Sequence, residues 1–466
     1  MKKTKDLKNS LNKERFQSFI PLANLLSDDF KILSEKLLFL IREHGISRIE
    51  PNIENKEELL EFAKYVHQGW KEAQSLIVDR VLKNLALIDE LQAELKESHR
   101  SRDKTKTKEV RYALNSLKVE NKVMRRMIDA IAWAMLKSEH STVRRLSTKG
   151  GHTNFSAHNI KDALSTLEQY NQNDHQIAIC CDLTTFIHVG DILVFDYETG
   201  ETCFVELKSG NKNMALSNLA AFAVESECKF FEQELKEKLL EKDIKHFERL
   251  KKQAWVGKTV MDTINHEKGM DHNTGKGVRI YPTTHEPKSY GSRILKCYEQ
   301  LNVEKTWAID TIDECLHIGV YNKNDDAFVG FNGWMDIIKC KSPIYNITDS
   351  FRIPTSTPFA SLNLPTELLK KVIAGEITII LCLDIRAFVD VANSMFPNFL
   401  TYADKKRTAQ ADQENTESLK LEGQAIVGTD DGIVGQGLAD RMLFDLRSPK
   451  QVIKSLRQAL TSEPLS

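Results

Sequence analysis

The chain contains no run of about eighteen consecutive apolar residues, so its hydropathy predicts no membrane-spanning helix. Its first residues, Met1-Lys2-Lys3-Thr4-Lys5-Asp6, lead into no hydrophobic signal region, and the expectation is a cytoplasmic protein with no membrane partner. Charge of one sign is also missing in excess: 65 Lys and Arg stand against 66 Asp and Glu. A globally basic nucleic-acid binder is thereby excluded, and any contact with phosphate must come from local patches. The eight cysteines of the 466 residues form no C-x-x-C, although Cys180 and Cys181 are adjacent. Reduced thiols in a core are expected, in place of a disulfide framework or a zinc knuckle.

Several catalytic signatures are absent as well. His266-Glu267 would need a second histidine at position 270, which is Met270, so no zinc-protease helix forms. Gly275-Lys276-Gly277 lacks the Ser or Thr of a phosphate-binding loop and its upstream glycine is misplaced. No Gly-x-Ser-x-Gly elbow exists for a serine hydrolase, and Gly428 to Gly437 lacks a dinucleotide site's strand-helix context.

Proline marks the organisation. None lies between Pro51 and Pro282, whereas prolines recur from Pro282 onward. Phe30 to Ile41 and Glu58 to Leu95 carry apolar residues at helical spacing. In the longer run Val78, Val81, Leu85, Ile88 and Leu95 approximate a heptad, which suits either self-association through a coiled-coil seam or packing as a bundle within the chain. His99 to Lys108 has no apolar residue and reads as an exposed loop or a solvated helix extension. The expected division is an N-terminal helical region over 1–110, a core over 111–325 and a C-terminal α+β region over 326–466.

The most informative stretch is Gly190-Asp191-Ile192-Leu193-Val194-Phe195-Asp196, a polar turn containing Thr199-Gly200, then Cys203-Phe204-Val205-Glu206-Leu207-Lys208. Two apolar runs around such a turn predict a β-hairpin. With Thr199 and Gly200 as the central turn residues, Asp191 falls opposite Lys208 and Leu193 opposite Glu206. Asp191, Glu206 and Lys208 then project to one face within roughly 5–8 Å of one another. Two carboxylates suit Mg²⁺ or Mn²⁺, and the ammonium is placed to orient or help deprotonate a water.

Asp191 followed by Glu206-x-Lys208 on the next strand resembles the PD-(D/E)xK nuclease superfamily, the fold of many restriction endonucleases. The resemblance implies an α/β fold with a restriction endonuclease-like mixed-sheet core and metal-dependent hydrolysis of phosphodiesters, usually in DNA. It implies a further acid on a preceding helix. Asp129, in the helical run Met127 to Leu136, is the candidate additional metal ligand, with Glu139 competing. A first strand is then expected at Thr142 to Leu146 and a later one at Val278 to Tyr281. Gln253 matches a glutamine that some relatives use near the site, while Lys251, Lys252 and Lys258 are candidate phosphate contacts and His188 a candidate neighbour of the metal. A role in bacterial restriction or anti-phage defence, with partner proteins of such a system, is what the resemblance suggests.

Overall fold

The computed structural model describes residues 22–138, 140–147, 155–207, 211–266, 268–270, 275, 277–279, 288–322, 324–413, 418–429 and 432–461. The elements in chain order are α1 (Asp28–Arg42), α2 (Lys56–Arg100), α3 (Lys104–Met135), α4 (His140–Leu146), α5 (Ala157–Asn171), β1 (Gln176–Cys180), β2 (Ile192–Asp196), β3 (Glu201–Val205), α6 (Asn211–Ser226), α7 (Lys229–Lys238) and α8 (Glu241–His266). There follow β4 (Lys268–Met270), β5 (Gly277–Arg279), α9 (Gly291–Glu299), β6 (Trp307–Ile312), β7 (Leu316–Tyr321), α10 (Asn324–Ile337) and β8 (Tyr345–Asn346). The last elements are α11 (Thr366–Ala374), β9 (Thr378–Leu383), α12 (Ile385–Met395), β10 (Leu400–Tyr402), α13 (Lys405–Gln413), β11 (Lys420–Leu421), β12 (Gln424–Gly428), α14 (Gly437–Leu443) and α15 (Pro449–Thr461). The chain is mixed α/β, and among the described residues no helix is long and apolar enough to cross a membrane.

The chain divides into two compact units that interleave along the sequence, instead of three consecutive regions. One comprises Glu43–Leu85 and Ile128–Pro282; the other comprises Met1–Arg42, Ala86–Met127 and Thr283–Ser466. The expected boundary at 325/326 falls inside a single sheet, because β6 and β7 pair with β9.

The unit with β1–β3 is built on an antiparallel meander in the order β1-β2-β3. All four residues after Gln176 in β1 are buried, as are Ile192, Leu193 and Val194 of β2. The outer edge of β1 is closed by side chains. Gln74 of α2 donates from Nε2 to the Ala178 carbonyl at 2.9 Å and accepts from the Cys180 N–H at 3.1 Å. Asn171, at the end of α5, exchanges bonds of 2.8 and 3.1 Å with the Ala178 backbone. A strand edge otherwise presents unpaired N–H and C=O groups to any passing chain, and here two amides occupy them. Among the described residues the sheet has no further strand on this side, and the mixed sheet expected for the core is not what is observed there: every strand pairing among the described residues is antiparallel. Val278–Tyr281 does not extend the meander either, since β5 pairs with β4 in a separate hairpin; Ile280 and Tyr281 lie outside the described residues. Gln74→Leu orphans the buried Cys180 N–H and is expected to lower stability by about 2 kcal/mol. Urea unfolding of the two proteins measures it.

One further expectation changes. Thr142 to Leu146 is helical within α4, because Val143 and Leu146, three apart, are both buried on one helical face. Met214 to Leu250 spans three helices, α6, α7 and the first part of α8. Glu227 takes a left-handed φ of 50° after α6, and the Cys228 side chain accepts from the Phe231 N–H to begin α7. His99 to Lys108, expected as an exposed loop or a solvated helix extension, is the exposed tip of a helical hairpin: Arg102 has a φ of 56° and Asp103 caps α3 by accepting from the Lys106 N–H at 2.9 Å.

In the other unit the order is β6-β7-β9-β8, all antiparallel, with β7 and β9 buried along their whole length. α10 lies on this sheet, and Gly319 permits it, because a Cβ there would sit 2.6 Å from the Phe331 ring. The heptad-like residues Ile88 and Leu95 of α2 pack with Leu91 on Val110, Leu114 and Leu117 of α3. This stretch of the apolar seam is therefore filled within one chain, which accounts for its spacing without a second copy. A third small sheet runs β10-β12-β11.

Candidate active site

Gly190 begins the site. Its φ of 73° is one that L side chains rarely adopt, and a Cβ at this position would meet the Phe204 Cβ at 3.0 Å. The turn it makes delivers Asp191 to the start of β2. The Asp191 carbonyl accepts from the Cys181 N–H at 2.8 Å, and its own N–H donates to the Val205 carbonyl at 2.9 Å. Its carboxylate reaches across to β3, where Oδ2 accepts from the Leu207 N–H at 2.6 Å. Asp191 thus holds the end of β3 with backbone and side chain together.

The hairpin is present, with a register shifted by two residues. Ile192 pairs with Val205 and Asp196 with Glu201, where the ladder ends, and beyond it the Asp191 N–H bonds to the Val205 carbonyl, beside Glu206 and not Lys208. The cause is the turn. Tyr197 to Gly200 forms the connection; Asp196 accepts from the Glu198 and Thr199 N–H groups at 3.0 and 3.2 Å, and Gly200 closes it at a φ of 72°. A shift of two keeps each side chain on its face. Asp191 and Glu206 flank one end of this ladder, each the next residue beyond its strand.

Asp191 is half-buried and Glu206 exposed. The buried Cys181 thiol reports on both, for it is raised well above the ordinary cysteine value by burial first, then by Cys180, Asp191, Asp182 and Glu206. Cys180 is likewise pushed up to about 12 by burial and then by Asp182. Neither thiol ionises near neutrality, so this end of the sheet offers carboxylate oxygens and no thiolate. Asp182 was not among the sequence candidates. The one signal for it was its position as the first charged residue after an apolar strand.

The remaining candidates divide. Asp129 is fully buried on α3, with Oδ1 accepting from the Thr185 N–H at 2.7 Å and Oδ2 from the Thr185 hydroxyl at 2.5 Å. It ties down the segment between β1 and β2. Among the described residues no three His, Cys, Asp or Glu side chains converge as a metal-holding group, so Asp129 does not join Asp191 and Glu206 as a third ligand. Lys208 and Glu139 lie outside the described residues. Lys251 is paired with Glu232 of α7 at 2.5 Å, and Lys258 donates to the Val224 carbonyl at 3.4 Å. Lys252 and Gln253 are exposed on α8. The His188 backbone N–H bonds to the Leu146 carbonyl at 2.9 Å, which ties the segment before Gly190 to the end of α4.

Comparison of the chain with known protein families, curated proteins and solved structures finds no match.

Proposed function

We propose that the chain is a metal-dependent nuclease that hydrolyses phosphodiester bonds, with DNA as the substrate, and that Asp191 and Glu206 hold the cation. The observation that supports this reading is that Asp191 and Glu206 flank one end of the antiparallel meander, where the Asp191 carboxylate bonds to the Leu207 N–H next to Glu206 and both charges raise the Cys181 thiol. Two carboxylates fit Mg²⁺ or Mn²⁺, hard ions that take one or two protein carboxylates and keep water and phosphate in their remaining positions. The Leu207 N–H fixes Asp191 through one oxygen and so sets the direction of the other. Exposed Glu206 admits a bulky polyanion from solvent. When bound, such an ion neutralises charge on the scissile phosphate and makes a coordinated water more acidic. Lys208, two residues beyond Glu206, is assigned the orienting of the attacking water, whose acidity the bound cation would raise. The restriction endonuclease-like fold, and a place in bacterial anti-phage defence or restriction with partner proteins of that system, belong to the same proposal.

A second reading has its own support. Asp129 and Asp191 each accept from a backbone N–H, at Thr185 and Leu207. Carboxylates that fasten loops suit a nuclease-fold protein that binds nucleic acid or scaffolds partners without cutting.

Incubation of the protein with plasmid DNA, single-stranded DNA and RNA in Mn²⁺ or Mg²⁺ separates the two. Glu206→Gln is expected to lower cleavage about a hundredfold and to weaken Mn²⁺ binding measured by electron paramagnetic resonance. If the wild type neither cuts any of the three substrates nor binds Mn²⁺, the first reading is wrong and the second stands.

A further inference from the structure

α3 carries a second feature that the hairpin chemistry does not use. Positions 104, 108, 111, 115, 118, 122 and 125 follow one another at alternating steps of four and three, the spacing that stacks side chains along one helical face. They are Lys104, Lys108, Arg111, Asn115, Lys118, Lys122 and Arg125; all but the half-buried Arg125 are exposed, and none is acidic. The row is about 32 Å long at the rise of an α-helix. Neighbouring positions of the row stand about 5–6 Å apart at Cβ, with neutral Asn115 between Arg111 and Lys118.

The rest of the helix shows that this face was left to solvent. Val110, Leu114, Val123, Met124 and Met127 are buried on other faces, and Glu120 is turned inward onto Ser27. Lys106, off the row, is neutralised by Glu94 at 3.0 Å. Among the described residues no carboxylate pairs with Lys104, Lys108, Lys118 or Lys122. Beside the row's end, Arg352 adds a further cation: the Lys122 ammonium is lowered from the ordinary lysine value by burial of its stem first and then by Arg352, Arg126 and Arg125. In a chain whose charges cancel, 65 against 66, such a row is a local concentration of one sign.

We infer that this face of α3 binds the phosphate backbone of a nucleic-acid duplex without regard to sequence. The regular spacing suits a regular polyanion. No aromatic side chain lies in the row, so it offers no platform for stacking the bases of a single strand. A bilayer is disfavoured, because the apolar faces of α3 are consumed inside the protein and an interfacial helix needs them free. Binding here stands apart from the hydrolysis proposed for Asp191 and Glu206, and the two are tested separately.

The test is fluorescence anisotropy in EDTA with a labelled duplex of about 30 base pairs, using wild type and Lys108→Gln/Lys118→Gln/Lys122→Gln. With the five exposed cations engaged, raising salt from 50 to 200 mM is expected to weaken wild-type binding about five-hundredfold; with three removed the loss falls to about twelvefold. The substituted lysines are exposed, and circular dichroism verifies that the triple variant folds. An unchanged salt slope in the triple variant overturns the inference, as does a wild type that does not bind the duplex. Binding to phosphatidylserine vesicles but not to the duplex overturns it equally.

Discussion

Between pH 6.5 and 4, replacement of His67 by Phe is expected to remove about 3 kcal/mol of acid sensitivity from the unit that contains β1–β3. His67 is 4 % exposed. Its ring stacks on Trp70 at 5.3 Å and meets Tyr197 edge-on at 5.0 Å, with Phe195 at 6.0 Å. Nδ1 has no hydrogen-bond partner among the described residues. An imidazolium in that setting loses its water and gains nothing, so the histidine is lowered to about 4, by burial first and by Lys71 second, with Asp196 opposing. The unfolded chain therefore binds this proton from about pH 6.5 while the folded chain refuses it until about pH 4. Stability contributed by the neutral ring is complete above 6.5, declines as pH falls through the window, and is gone below 4.

Phenylalanine keeps the ring contacts and has no proton to take, so the difference between variant and wild type isolates this one group. The subtraction matters because other groups titrate nearby. Asp445, in the other unit, is raised to about 6 by burial and works with the opposite sign, losing its contribution as pH rises from 3.8 to that value. Hydrogen exchange of the peptide spanning Gln176 to Cys181, followed from pH 7 to 4, reads the effect where it arises. Parallel curves for the two proteins would show that His67 is not the sensor.

The hairpin was legible in the sequence because alternating runs, a glycine turn and a following break all agree on it. What hid the register was Asp196. It reads as the last residue of a strand, yet its carboxylate accepts from two turn N–H groups and lengthens the loop to Tyr197–Gly200. The supporting architecture was less visible for a related reason. Gln74 and Asn171 are ordinary polar residues on helices until the edge of β1 arrives beside them, and no local pattern signals that meeting. Asp129 illustrates the converse. A buried acid on the expected helix is what the site requires, but the Thr185 N–H and hydroxyl claim its oxygens, and only coordinates distinguish a loop anchor from a ligand. The basic face of α3 was obscured by reading His99 to Lys108 as a segment in itself. Once Asp103 caps a helix that runs to Met135, the lysines on both sides of position 110 fall into a single row.

The largest loss of stability is expected at Arg42, where replacement by Ala costs about 4 kcal/mol and replacement by Lys about 2. The segment from Ile353 to Pro365 is rich in proline, and Pro354, Pro358 and Pro365 supply no N–H, so its carbonyls cannot all be met by a regular ladder. Arg42, the last residue of α1, collects them. Nη1 donates to the Ala360 and Leu362 carbonyls at 2.6 and 3.0 Å, Nη2 to the Leu364 carbonyl at 2.7 Å, and Nε to the Thr366 hydroxyl at 3.0 Å. These are charge-assisted bonds, each stronger than a neutral one. A lysine ammonium retains the charge but is a compact head with three donors, and it cannot span three carbonyls and a hydroxyl arranged for a planar fork. Alanine leaves all of them to water or to nothing. The ordering of the losses, with Lys between wild type and Ala, is what separates this account from simple loss of a surface charge. Were charge alone responsible, Arg42→Lys would unfold at the same urea concentration as the wild type.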